Sequence, residues 1–140
     1  MKVAIGCDHG GIDLKDVVVS VLEELGHEVE DQGCNSTDSV DYPNFAKSVS
    51  ELVREGKCRS GILMCGTGIG MSMAANRIPG IRAALCNEMF SAKMSREHND
   101  ANILCLGARV IGPGLAAAIV RIWLTTEFAG GRHQRRIDMF

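Results

Sequence analysis

The sequence lacks any Cys-x-x-Cys pair and any cysteine and histidine cluster at the intervals that bind zinc, so no metal site is expected. Its six cysteines, Cys7, Cys34, Cys58, Cys65, Cys86 and Cys105, are scattered along the chain. Cys86 and Cys105 lie in apolar runs, where a free cysteine acts as a small buried hydrophobe, and Cys7 reads the same way. Reduced thiols fit a reducing compartment. No apolar stretch reaches the ~18 residues of a membrane span, and the chain starts on the strand-like Lys2-Val3-Ala4-Ile5-Gly6 where a leader would stand; a cytoplasmic location is expected. An excess of charge of either sign is missing too. A net charge of -2 gives neither nucleic acid nor an anionic membrane a reason to bind, and a small soluble ligand fits better. Internal repeats, low-complexity tracts and linkers are absent, so residues 1–140 read as one domain.

What is present is an alternation. Strand-like runs at about 2–7, 27–32, 60–64, 81–86 and 102–107 alternate with helix-like segments at about 11–25, 43–56, 71–77, 88–97 and 113–126, the pattern of a parallel sheet covered by helices. In the first helix Leu14, Val17, Val18, Val21, Leu22 and Leu25 form one apolar stripe, opposite Asp13, Lys15, Asp16, Glu23 and Glu24. Pro43 suits the first turn of the second helix, with Ala46, Val49 and Val53 inward, and Pro113 begins the fifth in the same way. Residues 33–42 read as a surface loop without chemistry of its own.

The run Cys65-Gly66-Thr67-Gly68-Ile69-Gly70 follows the third strand. Its glycines let the main chain turn tightly and approach a ligand, and a helix beginning there adds partial positive charge. The common phosphate motifs do not fit. The glycine spacing misses the G-x-G-x-x-G dinucleotide fingerprint, and no lysine stands between Lys57 and Lys93 to complete a Walker A loop. A cysteine-dependent phosphatase would want an arginine closing the loop, where Met71 stands. An anion cradle remains, beside a thiol able to act as nucleophile or general base.

In doubly wound sheets, ligands bind beyond the carboxyl ends of the strands where strand order reverses. If strands one and three are neighbours, Asp8-His9-Gly10-Gly11 meets the Cys65 loop there, and Arg109 follows strand five near the same edge. His98 sits in the polar cluster Arg96-Glu97-His98-Asn99-Asp100-Ala101-Asn102, whereas His27 and His133 read as ordinary polar histidines. After Gly130-Gly131 the tail gathers Arg132, His133, Arg135 and Arg136, and helical spacing puts Arg132 and Arg136 on one face.

Taken together, Cys7-Asp8-His9-Gly10-Gly11, the Cys65–Gly70 run with Ala74-Ala75-Asn76-Arg77, Glu97 to Asn102, Gly107-Ala108-Arg109, and Arg132 with Arg136 closely resemble the type B ribose-5-phosphate isomerase family over essentially the whole chain. The resemblance implies a Rossmann-like three-layer α/β/α sandwich with a five-stranded parallel sheet, in homodimers or dimers of dimers with the site at the interface. It also implies aldose-ketose isomerisation of a sugar phosphate through an enediolate, without metal or cofactor. By the match, Cys65 is the base, and the amides of Gly66, Thr67, Gly68, Ile69 and Gly70 hold the developing oxyanion, with Thr67 adding its hydroxyl. Removing one such donor costs ~3 kcal/mol of transition-state stabilisation. The match further makes His98 the group that protonates the ring oxygen, and Asp8 and Asn99 the holders of sugar hydroxyls. His9, Arg109, Arg132 and Arg136 become the phosphate ligands, so the basic segment from about 129 to 140 contributes to that site.

One branch of this family carries a glutamate base where this chain has Met71, so the chain resembles the cysteine branch, associated with six-carbon as well as five-carbon substrates. Ribose 5-phosphate and ribulose 5-phosphate are the expected pair, with allose 6-phosphate or galactose 6-phosphate as the alternative. A cysteine phosphatase, which would release inorganic phosphate, and a non-catalytic sugar-phosphate sensor are the more distant readings.

Overall fold

A computed structural model describes residues 1–140. Five strands, β1 (Lys2–Cys7), β2 (Glu28–Asp31), β3 (Ser60–Cys65), β4 (Ala83–Leu85) and β5 (Ile103–Gly107), form one sheet in the order β2-β1-β3-β5-β4. Every neighbouring pair is parallel. Six helices connect and follow them: α1 (Lys15–Glu24), α2 (Tyr42–Arg54), α3 (Ile69–Ala75), α4 (Met89–Glu97), α5 (Pro113–Thr125) and α6 (Arg132–Ile137).

Side chains along a strand alternate between its faces, and this alternation divides the core in two. Val3, Ile5, Cys7, Ile62, Met64, Leu104 and Leu106 pack on one face with Val18, Val21 and Leu22 of α1 and Ile119, Val120 and Trp123 of α5. Ala4, Leu63, Cys65, Ile103 and Cys105 pack on the other with Ala46, Val49 and Val53 of α2 and Met71 and Ala75 of α3. The result is an α/β/α sandwich in which both faces of the central strands are covered, as parallel sheets require.

The expected elements are all present, with three boundary changes. The first helix begins as a 3-10 turn, Ile12–Leu14, as helix N-termini often do. The third starts at Ile69, inside the glycine run and not after it. The edge strand β4 is only three residues long, and Asn76 covers its free edge: its amide oxygen accepts from the Ala83 N–H at 2.8 Å and its NH2 donates to the Ala83 carbonyl at 2.9 Å. That side chain occupies backbone groups through which another strand would pair. No helix is long and apolar enough to cross a membrane.

Candidate active site

β1 and β3 are neighbours while the chain leaves β1 for β2 on the other side, so the strand order reverses between them. The loops that follow β1, β3 and β5 therefore share one edge. Cys65 ends β3 and is 5% exposed. Its sulfur accepts the Gly68 N–H at 3.0 Å. Gly68 makes this possible with φ +79°, a left-handed conformation that turns the chain from β3 into α3. The Ile69 N–H is taken by the Thr67 hydroxyl oxygen at 3.2 Å, while the amides of Gly66, Thr67 and Gly70 have no acceptor within the chain. The cradle expected from five amides thus consists of three open ones.

From β1, the Asp8 carboxylate accepts the N–H groups of Gly10 and Gly11 at 2.9 and 3.0 Å, both on Oδ1, leaving Oδ2 unengaged. His9 accepts the Val40 N–H on Nδ1 at 3.2 Å. From β5, the guanidinium of Arg109 lies against Gly66: a Cβ there would stand 3.3 Å from Nη1. The main chain is knitted to match, with Ala108 N–H donating to the Cys65 carbonyl at 2.9 Å and Arg109 N–H to that of Gly66 at 3.0 Å.

Two features of this edge lie outside what the sequence leads one to expect. The first is Tyr42, the chain's single tyrosine, whose ring lies over Gly70 so closely that a Cβ would come within 2.6 Å of it. A lone aromatic polar residue beside Pro43 at the head of a helix was the available signal. The second is the 33–42 loop, expected to be plain surface; through Val40 it reaches His9 and through Tyr42 it walls the glycine turn.

The other candidates lie at the opposite end of the sheet. His98 caps the C-terminus of α4, which runs back to the amino end of β5, and Asn99 follows it. Asp100, with φ +47°, makes the turn and pairs with Arg96 at 3.0 Å. α6 docks beside them through the Ala129 N–H on the Glu97 carbonyl at 3.0 Å, bringing Arg132 and Arg136 to this end. His133 is not the ordinary polar histidine expected: it is buried and stacks on His98 with ring centroids 4.1 Å apart and planes 13° apart. Burial, then the charges of His98, Arg132 and Arg136, hold its pKa below the ordinary histidine value.

One chain therefore gathers Asp8, His9, Cys65 to Gly70 and Arg109 at the carboxyl edge, and His98, Asn99, Arg132 and Arg136 at the amino edge. β5 alone, five residues long, separates the two by about 16 Å at ~3.3 Å per residue. The four expected phosphate ligands do not converge within a single chain.

The remaining thiols behave as packing groups. Burial pushes Cys7 up to about 12 and Cys86 up to about 11; Cys105, beneath Cys65, is raised by burial and then by its neighbours Cys65 and Cys86.

The architecture defines the class: a Rossmann-like α/β/α protein with its ligand loops at the carboxyl ends of the central strands. A family model described as Ribose/Galactose Isomerase matches residues 3–140. A solved structure of Clostridium thermocellum ribose-5-phosphate isomerase B superimposes with a TM-score of 0.97 at 54% identity, covering 99% of this chain and 94% of that one. Among curated relatives, ribose-5-phosphate isomerase B of Escherichia coli is 50% identical over 98% of this chain and 92% of its own length. D-erythrulose-4-phosphate isomerase of Pectobacterium atrosepticum is 42% identical over 99% and 91%. The chain belongs to the type B ribose-5-phosphate isomerase family and is a sugar-phosphate isomerase.

Proposed function

We propose that the chain interconverts D-ribose 5-phosphate and D-ribulose 5-phosphate through an enediolate, in sites each completed by two copies of the chain. The observation that carries this reading is the buried Cys65 sulfur at the mouth of a turn whose Gly66, Thr67 and Gly70 amides are open. An aldose-ketose isomerase needs that pairing: a base for a carbon-bound proton, and donors aimed where the carbonyl oxygen becomes negative.

The steps follow from the residues. His98 gives a proton to the ring oxygen as the C1–O4 bond breaks and the anomeric hydroxyl gives its own to water, leaving an open-chain aldehyde. Cys65 takes the proton from C2, and negative charge moves to the C1 oxygen, where the open amides hold it. Thr67, whose oxygen already accepts from Ile69, has its hydroxyl hydrogen free to donate there. The C2 hydroxyl passes its proton to the C1 oxygen, and the proton held by Cys65 returns to C1 as the C2 carbonyl forms. Asp8 Oδ2 and Asn99 hold sugar hydroxyls. His9 and Arg109 of one chain and Arg132 and Arg136 of its partner grip the phosphate, with guanidinium forks suited to its oxygens.

The two-chain arrangement is supported by the placement of these groups at opposite ends of the sheet. A symmetric pair that sets the carboxyl edge of each copy against the amino edge of the other makes two equal sites. The thiol chemistry suits a reducing, cytoplasmic setting.

The test is turnover by Cys65→Ala together with solvent exchange. The variant is expected to fold and to lose nearly all activity, and the wild-type enzyme to place solvent deuterium at C1 of the ketose. Wild-type turnover in the variant would remove Cys65 from the role of base. Met71, fully buried in α3 beside Cys65, is unable to accept a proton and leaves that duty to the thiol. Six-carbon substrates are the alternative, and steady-state comparison with allose 6-phosphate and galactose 6-phosphate decides it.

A further inference from the structure

The mechanism makes no use of Lys15, although a lysine is rarely buried without a reason. Lys15 opens α1 and is 8% exposed. Its ammonium lies 2.6 Å from Asp31 Oδ2, 2.7 Å from Asn35 Oδ1 and 2.9 Å from the Cys34 carbonyl. Three donors meet three acceptors, the condition under which a buried charge is tolerated. The other oxygen of Asp31 accepts the Gly33 N–H at 2.8 Å. Main-chain bonds already join residues 32–34 to β1, the Gln32 N–H donating to Ile5 at 2.9 Å, the Cys7 N–H to Gly33 at 2.6 Å and the Cys34 N–H to Cys7 at 2.8 Å; the Lys15 cation adds a tie from the end of β2 and from Cys34 and Asn35 to the head of α1.

Beyond Asn35 the loop is held lightly. Asn35 to Ser39 are exposed, and their internal bond runs from the Asp38 N–H to the Ser36 hydroxyl at 3.3 Å. The Cys34 thiol donates to the Ser36 carbonyl at 3.4 Å, and the loop is next fixed at Val40, whose side chain packs against the core and whose N–H donates to His9. A backbone amide only donates, so Nδ1 of His9 carries a lone pair and the proton of the neutral ring resides on Nε2. An imidazolium, with hydrogens on both nitrogens, is unable to make this contact.

We propose that Lys15 is a positioning residue: by anchoring the 32–41 loop it holds the Val40 amide on His9 and so fixes His9 as a neutral Nε2–H donor for the substrate phosphate. This rests on the reading of His9 as a phosphate ligand.

The experiment uses the full chain carrying Lys15→Met, with Asn35→Ala as a milder second variant should the first fail to fold. Histidine side-chain nitrogen shifts, with the His9 signals assigned through His9→Gln, report the tautomer without reference to activity. Wild-type His9 is expected to be the Nε2–H form, and the variants to show a mixture. KM for ribose 5-phosphate should rise roughly fivefold in Lys15→Met with kcat within about twofold, part of the ~10- to 100-fold carried by a whole charge-assisted hydrogen bond. An unchanged His9 tautomer in the folded variants, or a changed tautomer with unchanged KM while His9→Gln does raise KM, overturns the proposal. If His9→Gln itself leaves KM unaltered, the phosphate reading of His9 fails and the tautomer lock stands or falls on the nitrogen shifts alone.

Discussion

Gly68 donates its amide hydrogen to the Cys65 sulfur across 3.0 Å, and it does so from a backbone conformation, φ +79°, that other residues adopt only with strain. A Cβ at Gly68 would stand 2.5 Å from Leu85 Cδ1 and 3.0 Å from the main-chain carbonyl carbon of Leu106. The bond places a donor on the sulfur, which in the proposed reaction carries negative charge until it takes the proton from carbon, and the same turn leaves the neighbouring amides open.

Gly68→Ala is therefore expected to lose stability by at least about 1–2 kcal/mol from the backbone alone. A displaced turn should also lower kcat by about 100-fold or more, the usual effect of removing one oxyanion donor. Urea midpoints and steady-state kinetics on one preparation check both. A variant with wild-type kcat would show that neither the turn nor its donor matters to the chemistry.

The proposed two-chain site predicts complementation. Assayed with ribose 5-phosphate under conditions where ring opening limits the His98 variant, Cys65→Ala and His98→Ala are each expected to be nearly inactive when paired only with themselves. Unfolded together and refolded as a mixture, they should regain about a quarter of wild-type activity, because half of the dimers are mixed and each mixed dimer holds one intact site. No recovery, with mixed dimers demonstrated by mass spectrometry, would place both groups in one chain's site.

Ring opening can be separated from proton transfer by direction. In ribulose 5-phosphate the phosphate on O5 blocks closure of a five-membered ring on C2, so that substrate arrives open, whereas ribose 5-phosphate arrives closed. With His98→Ala, conversion of ribulose 5-phosphate should still scale with enzyme. Conversion of ribose 5-phosphate should level off at the rate of spontaneous opening as enzyme is added. Equal slowing in both directions, scaling with enzyme in each, would remove His98 from ring opening.

His133 makes stability depend on acid. Its pKa in the folded chain is held down, first by burial and then by His98, Arg132 and Arg136, so as pH falls the unfolded chain takes up the proton first. Its contribution is fully present above the ordinary histidine value of ~6.5. It is lost as pH falls from there through the lower folded-state pKa. Denaturation midpoints between pH 8 and pH 5 measure this. His133→Phe, which retains a ring against His98 and removes the titration, should flatten that part of the profile; an unchanged slope would assign the acid sensitivity elsewhere.

Much of this was readable in the chain. The apolar stripe of α1, with Leu14, Val18, Val21 and Leu22 buried as spaced, and the helix starts at Pro43 and Pro113 follow from local pattern and backbone chemistry. The glycine run after β3 announced the tight turn that carries the chain into α3. What local pattern could not carry was the reach of the 33–42 loop. Its serines, asparagine and aspartates are typical of any surface turn, and its role rests on contacts to His9, 31 residues from Val40, and to Gly70. His133 likewise shows no special spacing, because its partner His98 belongs to another helix.

By itself, then, the sequence determined the alternating elements, the thiol beside its glycine turn, the arginine pair one helical turn apart and the family, since all of these are expressed in neighbouring residues. The placement of the candidate residues at two opposite edges was decided only by the tertiary structure. In a parallel sheet every strand ends at the same edge, so residues that follow β1, β3 and β5 meet there while those that precede β5 are carried to the far edge. Cys65 and His98 are each legible as reactive groups along the chain; that one copy holds them at opposite ends of the sheet is a consequence of strand direction.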